Sequence, residues 1–276
     1  MDEETFEGIG GLKIFTRSWR PEGRARGVVV LVHGFKSHSG LYEWPATQLA
    51  QRGFSVYALD LRGHGRSEGE RLYVDKFSEY VSDLDQLVTI AKSRDADLPT
   101  FVLGHSAGGV VACVHALEHP KAVSGLISES FAHEVSAPDF ALAILRGISR
   151  LAPRAHVLDL KDEYFSRDPL FVTRMKNDPF IPHLPYPAQT VAELVRADER
   201  LKKELRHFTL PVMILHGTAD KATKPHGSQR FYDSSRSTDK TLKLYDGYFH
   251  DLLNDVGKER VMADITEWLT MRGPAR

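Results

Sequence analysis

Residues 28–33 read VVVLVH, apolar without interruption until the closing His33. A strand with one face in water alternates apolar and polar residues. A strand that is apolar throughout is buried on both faces, as in a parallel sheet covered by helices. Comparable runs recur at 55–60 (SVYALD), 100–105 (TFVLGH), 124–129 (SGLISE), 212–217 (VMILHG) and 241–246 (TLKLYD). An alternating strand precedes them at 12–21. Helical spacing fills the gaps, at 41–52, 77–92, 107–118, 227–235 and 256–271. In the second of these, Phe77, Val81, Leu84, Leu87, Val88 and Ala91 mark one apolar face. Strands alternating with helices predict a doubly wound α/β sheet.

The alternation stops between about 131 and 208. That stretch holds a mostly apolar helix pattern, FALAILRGISRLA, then four close prolines (Pro179, Pro182, Pro185, Pro187), then a second helix pattern, QTVAELVRADERLKKEL. Proline at that density opposes regular structure. The expectation is a core made of 1–130 and 209–276, with a helical cap inserted at 131–208. A separate domain of unrelated function is the alternative. The formal charge of −1 leaves no global field for nucleic acid. Cys113 is the one cysteine, which excludes a disulfide within the monomer and reads as a core thiol. The acidic opening MDEETFEGIGG lacks the basic-then-apolar pattern of a secretory signal, and no apolar run approaches the ~18 residues of a membrane span. A cytoplasmic protein is the default expectation.

Residues 101–111, FVLGHSAGGVV, place Gly104-His105-Ser106-Ala107-Gly108 between a strand and a helix pattern. G-x-S-x-G is a weak signal alone. In a strand–turn–helix it marks a serine on a strained turn with its hydroxyl exposed at the sheet's end. The bland reading is a helix N-cap. A serine hydroxyl needs a base to take its proton and an acid to orient that base. In such folds the chain order is serine, acid, histidine. Asp220, just past a strand in ILHGTADKAT, and His250, past the next in YDGYFHDLLND, fit that order. Glu129, at the end of an earlier strand, is a rival acid. Asp251 adjoins His250 but is badly placed to reach the same ring. HALEH at 115–119 matches a zinc-site pattern without a third ligand.

These stretches, with HGFKSHSGLYEW, YALDLRGHGRSEG and SRDP, resemble the monoglyceride lipase/lysophospholipase group of α/β-hydrolase-fold serine hydrolases. The likeness covers nearly the whole chain and is weakest in the cap. It implies Ser106 as nucleophile, His250 as general base and then acid, and Asp220 as the partner of the imidazole. It implies a carboxylic-ester hydrolase working through an acyl-enzyme, a reaction that requires no metal, nucleotide or organic cofactor. Carbon–carbon bond hydrolysis and thioester hydrolysis use the same residues, and a non-catalytic binding protein shares the fold.

The oxyanion of the reaction needs N–H donors. One is the backbone of Ala107, and the VHGF loop offers Phe35 as the other. His33 and His64 then read as loop residues, and His38 has no assigned chemistry. For the substrate, an apolar face of Phe140, Leu142, Ile144, Leu145, Ile148 and Leu151 suits an alkyl pocket. In relatives such a helix lines an alkyl tunnel and touches lipid surfaces. Leu145 and Ile148 are the candidate acyl contacts. Monoglyceride lipases usually carry an acid, an arginine and a histidine where this chain has Ser37, Leu41 and Leu253. Those three candidate substrate-binding positions offer less to a glycerol hydroxyl. They favour alkyl or aryl esters, with Lys36 or a cap arginine available to a substrate carboxylate.

Overall fold

The computed structural model describes residues 1–133 and 139–273, the side chains of Asp139 and Phe140 excepted. The core elements are β1 (Asp2–Glu7), β2 (Lys13–Trp19), β3 (Gly27–Val32), α1 (Glu43–Gln51), β4 (Phe54–Leu59), α2 (Phe77–Arg94), β5 (Thr100–His105), α3 (Ala107–Glu118) and β6 (Gly125–Glu129). After the inserted segment come β9 (Val212–Gly217), α7 (Pro225–Ser234), β10 (Lys240–Tyr245) and α8 (Lys258–Thr270). One eight-stranded sheet runs β1-β2-β4-β3-β5-β6-β9-β10. The pairs β1–β2 and β2–β4 are antiparallel and the rest are parallel.

The apolar runs are explained by burial on both sides. Val28, Val30 and Val32 pack with Leu84 of α2 and Val110 of α3. Val29 and Leu31 face the opposite layer, with Leu49 of α1 and Ile265 and Leu269 of α8. All five strand residues are fully buried. Each such side chain contributes about 1.5–3 kcal/mol of transfer free energy.

The first strand, β1, was not expected. Its sequence DEETFE is acid-rich and lies at the sheet edge. Glu3 pairs with Arg17 and Arg66, and Glu4 with Arg94. Charge on an edge strand discourages pairing with a further chain.

Between β6 and β9 the chain builds α4 (Asp139–Leu151), β7 (His156–Leu158), α5 (Pro169–Asn177), β8 (Tyr186–Pro187) and α6 (Ala188–Glu204). The two short strands pair only with each other, antiparallel. The proline-rich stretch thus contains a strand and is preceded by a helix, α5, which starts on Pro169 after an Asp168 side-chain cap. This inserted segment, called the cap below, is fastened to the core through α6. Thr190 Oγ1 accepts the Val74 N–H (3.0 Å) and donates to the Leu72 carbonyl (2.8 Å), and Glu193 accepts the Phe77 N–H (2.8 Å).

Candidate active site

The carboxyl ends of the parallel strands converge on one edge of the sheet, where open α/β sheets bind ligands. Ser106 follows β5 with φ 55° and ψ −120°, a positive φ outside the regions that side chains favour. Such a backbone costs about 1–3 kcal/mol and persists because its surroundings hold it. Its N–H donates to the Glu129 carbonyl (2.8 Å) on β6. Two glycines make the turn sterically feasible. A Cβ on Gly108 would sit 2.3 Å from the Val32 carbonyl oxygen, and one on Gly34 would sit 2.8 Å from Ser106 Cβ. The serine side chain makes no capping bond to α3, so the N-cap reading has no support.

His250 and Asp220 meet across the β9 and β10 loops. His250 Nδ1 lies 2.7 Å from Asp220 Oδ2, both side chains almost fully buried. Asp220 Oδ1 accepts the N–H groups of Ala222 (2.7 Å) and Thr223 (3.0 Å), and Oδ2 accepts the Thr223 hydroxyl (2.8 Å). A second imidazole, His216 Nε2, lies 3.0 Å from the same Oδ2. Burial alone would raise the Asp220 pKa. The charge of His250 and the hydrogen bonds from His216 and His250 outweigh it and hold the carboxyl well below the usual range. His216 escaped the sequence reading. Its only signal is a histidine in an apolar strand four residues before Asp220.

Glu129 and Asp251 do other work. Glu129 Oε1 accepts the Leu253 N–H (3.1 Å), so this side chain braces the loop after His250 and does not touch the imidazole. Asp251 accepts both amide hydrogen bonds of Asn254. Burial pushes both carboxyls up, Asp251 to about 6, and Asp251 adds to the rise at Glu129. These two and His105 bring ligand-type atoms within 4.8 Å of one another. His105 is already committed, with Nδ1 2.6 Å from the Tyr42 hydroxyl and Nε2 3.3 Å from the His250 carbonyl. In HALEH, His115 Nε2 meets Asp85 (3.0 Å) and Glu118 pairs with Arg200, so the stretch is absorbed by helix packing. Cys113 is fully buried, its thiol pKa raised by that burial.

The loop after β3 closes the other side. His33 is wholly buried; its Nε2 accepts the Leu61 N–H (2.9 Å) and its Nδ1 donates to the Gly34 carbonyl (2.7 Å). Burial foremost, then His64, lowers its pKa to about 3, which keeps it neutral. His38 spans from the Gly40 N–H to Asp178. Phe35, Ser106, Ala107 and His250 all line one cavity of about 250 Å³. The N–H groups of Phe35 and Ala107 have no acceptor among the described residues.

The far wall differs from the expectation. It is made by Leu158, Leu160 and Leu194 of the cap, with Ala132 and His133 from the stretch that leads into it and Thr223 and Lys224 from the core loop after β9. Leu145 and Ile148 do not reach it. They sit half-buried on α4, which packs over α6, one layer outside the wall. Phe140 lies outside the described side chains. Leu41 and Leu253 are buried in the core layer of α1 and α8, and buried Ser37 also stands off the wall. Lys36 is not free to meet a substrate carboxylate, because its ammonium is 2.9 Å from Asp162 and also donates to the Leu160 carbonyl. Arg146 of the cap is engaged by Glu199. The lysine on the wall is Lys224, exposed and without an ion pair among the described residues.

Sheet, strained serine turn and convergent loops define a serine hydrolase of the α/β-hydrolase fold that acts on esters. Residues 23–257 match the family described as serine aminopeptidase, S33, and the chain belongs to that family. It is similar to a monoacylglycerol lipase of Mycolicibacterium smegmatis, 35% identical over 97% of this chain and 96% of the relative. The crystal structure of a Paleococcus ferrophilus monoacylglycerol lipase superposes with a TM-score of 0.83 at 30% identity, covering 94% of this chain and 99% of the other. A caffeoylshikimate esterase of Arabidopsis thaliana is 30% identical over 93% of this chain and 82% of its own.

Proposed function

We propose that Ser106, His250 and Asp220 form the catalytic triad, with the N–H groups of Phe35 and Ala107 as the oxyanion hole. The observation that carries this reading is the 2.7 Å His250–Asp220 pair opening onto the cavity that Ser106 lines. With Nδ1 held by an ionised Asp220, the other ring nitrogen is left to accept the Ser106 proton. The hydroxyl oxygen then attacks the ester carbonyl. His250 returns the proton to the departing alcohol, and water repeats the sequence on the acyl-enzyme. Each oxyanion donor supplies about 3 kcal/mol at the transition state.

The substrate class is an ester with one apolar acyl chain. Leu158, Leu160 and Leu194 supply an apolar wall from the cap. Related ester hydrolases named for monoacylglycerol and for caffeoylshikimate favour an ester over a thioester or a carbon–carbon bond. Ser37, Leu41 and Leu253 offer no charged partner to a glycerol headgroup, so alkyl and aryl esters compete well with monoacylglycerol. Exposed Ile144 and Leu151 on α4 (57% and 90% accessible) suit contact with a lipid surface, while no described helix is long and apolar enough to cross a membrane.

The test is fluorophosphonate labelling with hydrolysis of p-nitrophenyl esters of rising chain length beside a monoacylglycerol. The wild type is expected to be labelled and active, and Ser106→Ala to lose both, by about 10⁶-fold in kcat. Activity surviving in Ser106→Ala removes the triad assignment. A monoacylglycerol preferred by a wide margin removes the alcohol-group argument.

A further inference from the structure

Tyr186 of β8 belongs to the cap, yet its contacts are with the loop that carries Phe35. It is 2% exposed. Its ring stacks on Phe35 with centroids 4.2 Å apart and planes 14° from parallel. Its hydroxyl meets the backbone N–H of Lys36 and lies 3.2 Å from Nε2 of His64. The direction of these bonds follows from chemistry. His64 Nδ1 lies 3.0 Å from the Arg62 carbonyl, which can only accept, so Nδ1 carries the hydrogen and Nε2 the lone pair. Burial, the largest influence, lowers the His64 pKa to about 4 and keeps the ring neutral near pH 7. The single O–H of Tyr186 therefore goes to His64, and its oxygen accepts the Lys36 N–H.

Lys36 is left-handed, with φ 55°, although it is not glycine. A backbone in that region needs support from its neighbours. Two cap contacts provide more of it, from Asp162 and the Leu160 carbonyl to the Lys36 ammonium. The peptide after Phe35 is thus held through its N–H, and the Phe35 side chain through its ring. Between the two, the Phe35 N–H keeps no acceptor of its own.

We propose that Tyr186 is a positioning residue for the oxyanion hole: by binding the Lys36 N–H and stacking on Phe35, it aims the Phe35 N–H at the cavity. This rests on the oxyanion-hole assignment above and extends it, because the cap then completes the machinery as well as shaping the pocket. The cap and the loop after β3 act as one unit, joined through His64, Tyr186 and Lys36. No contact of Tyr186 with substrate is required, and it does not line the cavity.

The experiment is Tyr186→Phe, which keeps the ring and the stacking and removes only the hydroxyl. Activity on a p-nitrophenyl ester is expected to fall about tenfold in kcat with KM within twofold, since a misaimed donor forfeits part of the 10²–10³-fold that a deleted one costs. A trifluoromethyl ketone, which forms a tetrahedral oxyanion on the serine, is expected to weaken by the same factor as kcat/KM. A merely structural role would lower the unfolding midpoint without that parallel. Unchanged kcat, or ketone inhibition that fails to track kcat/KM, overturns the proposal. Should Tyr186→Phe not fold, His64→Asn tests the same chain of bonds from its other end, with a kcat-only loss expected and an unchanged kcat overturning it. Ser106→Ala run alongside separates the two readings: if that variant stays active, the triad assignment has failed and not the role of Tyr186.

Discussion

On the sheet side of the cavity, Ser106, Asp220 and His250 are each held by several specific bonds. On the cap side, Leu158, Leu160 and Leu194 present only apolar surface. Asp220 alone receives two backbone N–H groups, a threonine hydroxyl and two imidazoles. Proton transfer demands atoms within hydrogen-bond reach in one orientation. Enclosing an alkyl chain demands volume and dryness, which many side chains can supply. One wall is therefore fixed atom by atom and the other is fixed only in character.

The largest effect should come from the sheet side. Asp220→Asn keeps the shape and removes the charge, and an amide facing Nδ1 favours the wrong tautomer. By analogy with the same change in other triads, kcat should drop about 10⁴-fold with little change in folding. Steady-state kinetics alongside a thermal melt checks it. A loss below tenfold would mean that the network around Asp220 is not tied to the chemistry, and the contrast between the walls would collapse.

This contrast also decides what was legible in the sequence. Gly104 and Gly108 announce the turn around Ser106 because backbone approaches each of them too closely for any Cβ. Asp220 and His250 follow from their places after successive strands. The apolar strands are readable because both faces are buried. By the same logic β1 is unreadable, since its acids are satisfied by Arg17 across the neighbouring strand and by Arg66 and Arg94 from distant parts of the chain. In the cap, the apolar stripe of α4 stood out, but amphipathicity says which face is covered and not by what. Leu145 and Ile148 are half-buried on a helix that packs over α6, Ile144 and Leu151 stay exposed, and the wall falls to Leu158 and Leu160 on and beside a three-residue strand too short to carry a pattern. Tyr186 was hidden for a related reason: its stretch is proline-rich, and its partners lie 122 and 150 residues away.

A smaller effect, on stability, should separate the walls by pH. His33 and His64 brace the loop after β3 as buried neutral rings, with pKa values lowered to about 3 and about 4, chiefly by burial. The unfolded chain binds their protons near pH 6.5, the folded chain does not. Their contribution is thus complete above about pH 6.5 and lost as the pH falls towards 4. Each neutral histidine should account for about 1.4 kcal/mol per pH unit in that window. Buried Asp251 has the opposite sign: its raised pKa gives stability that is lost as the pH rises through about 6. Melting curves from pH 7 to pH 4.5 should show a falling midpoint, and His64→Asn should flatten the fall. An unaltered slope in that variant would show that the sheet-side histidines do not set the acid limit.

The smallest effects should lie in the cap, and there the contrast can be drawn within one layer. Leu194 on α6 is 7% exposed and lines the cavity; Leu145 on α4 is half-buried and does not. Leu194→Ala opens the wall. It should lower kcat/KM about tenfold for the best wild-type ester and move the preferred acyl length upward, as a lost apolar contact of this size does. Leu145→Ala removes the same atoms one layer further out and should stay within twofold. An ester series from four to sixteen carbons, assayed on both variants, reads the difference. If Leu145→Ala shifts the chain-length profile as much as Leu194→Ala does, α4 contributes to the wall in solution. The cap would then present a deeper apolar surface to the acyl chain than its innermost leucines alone.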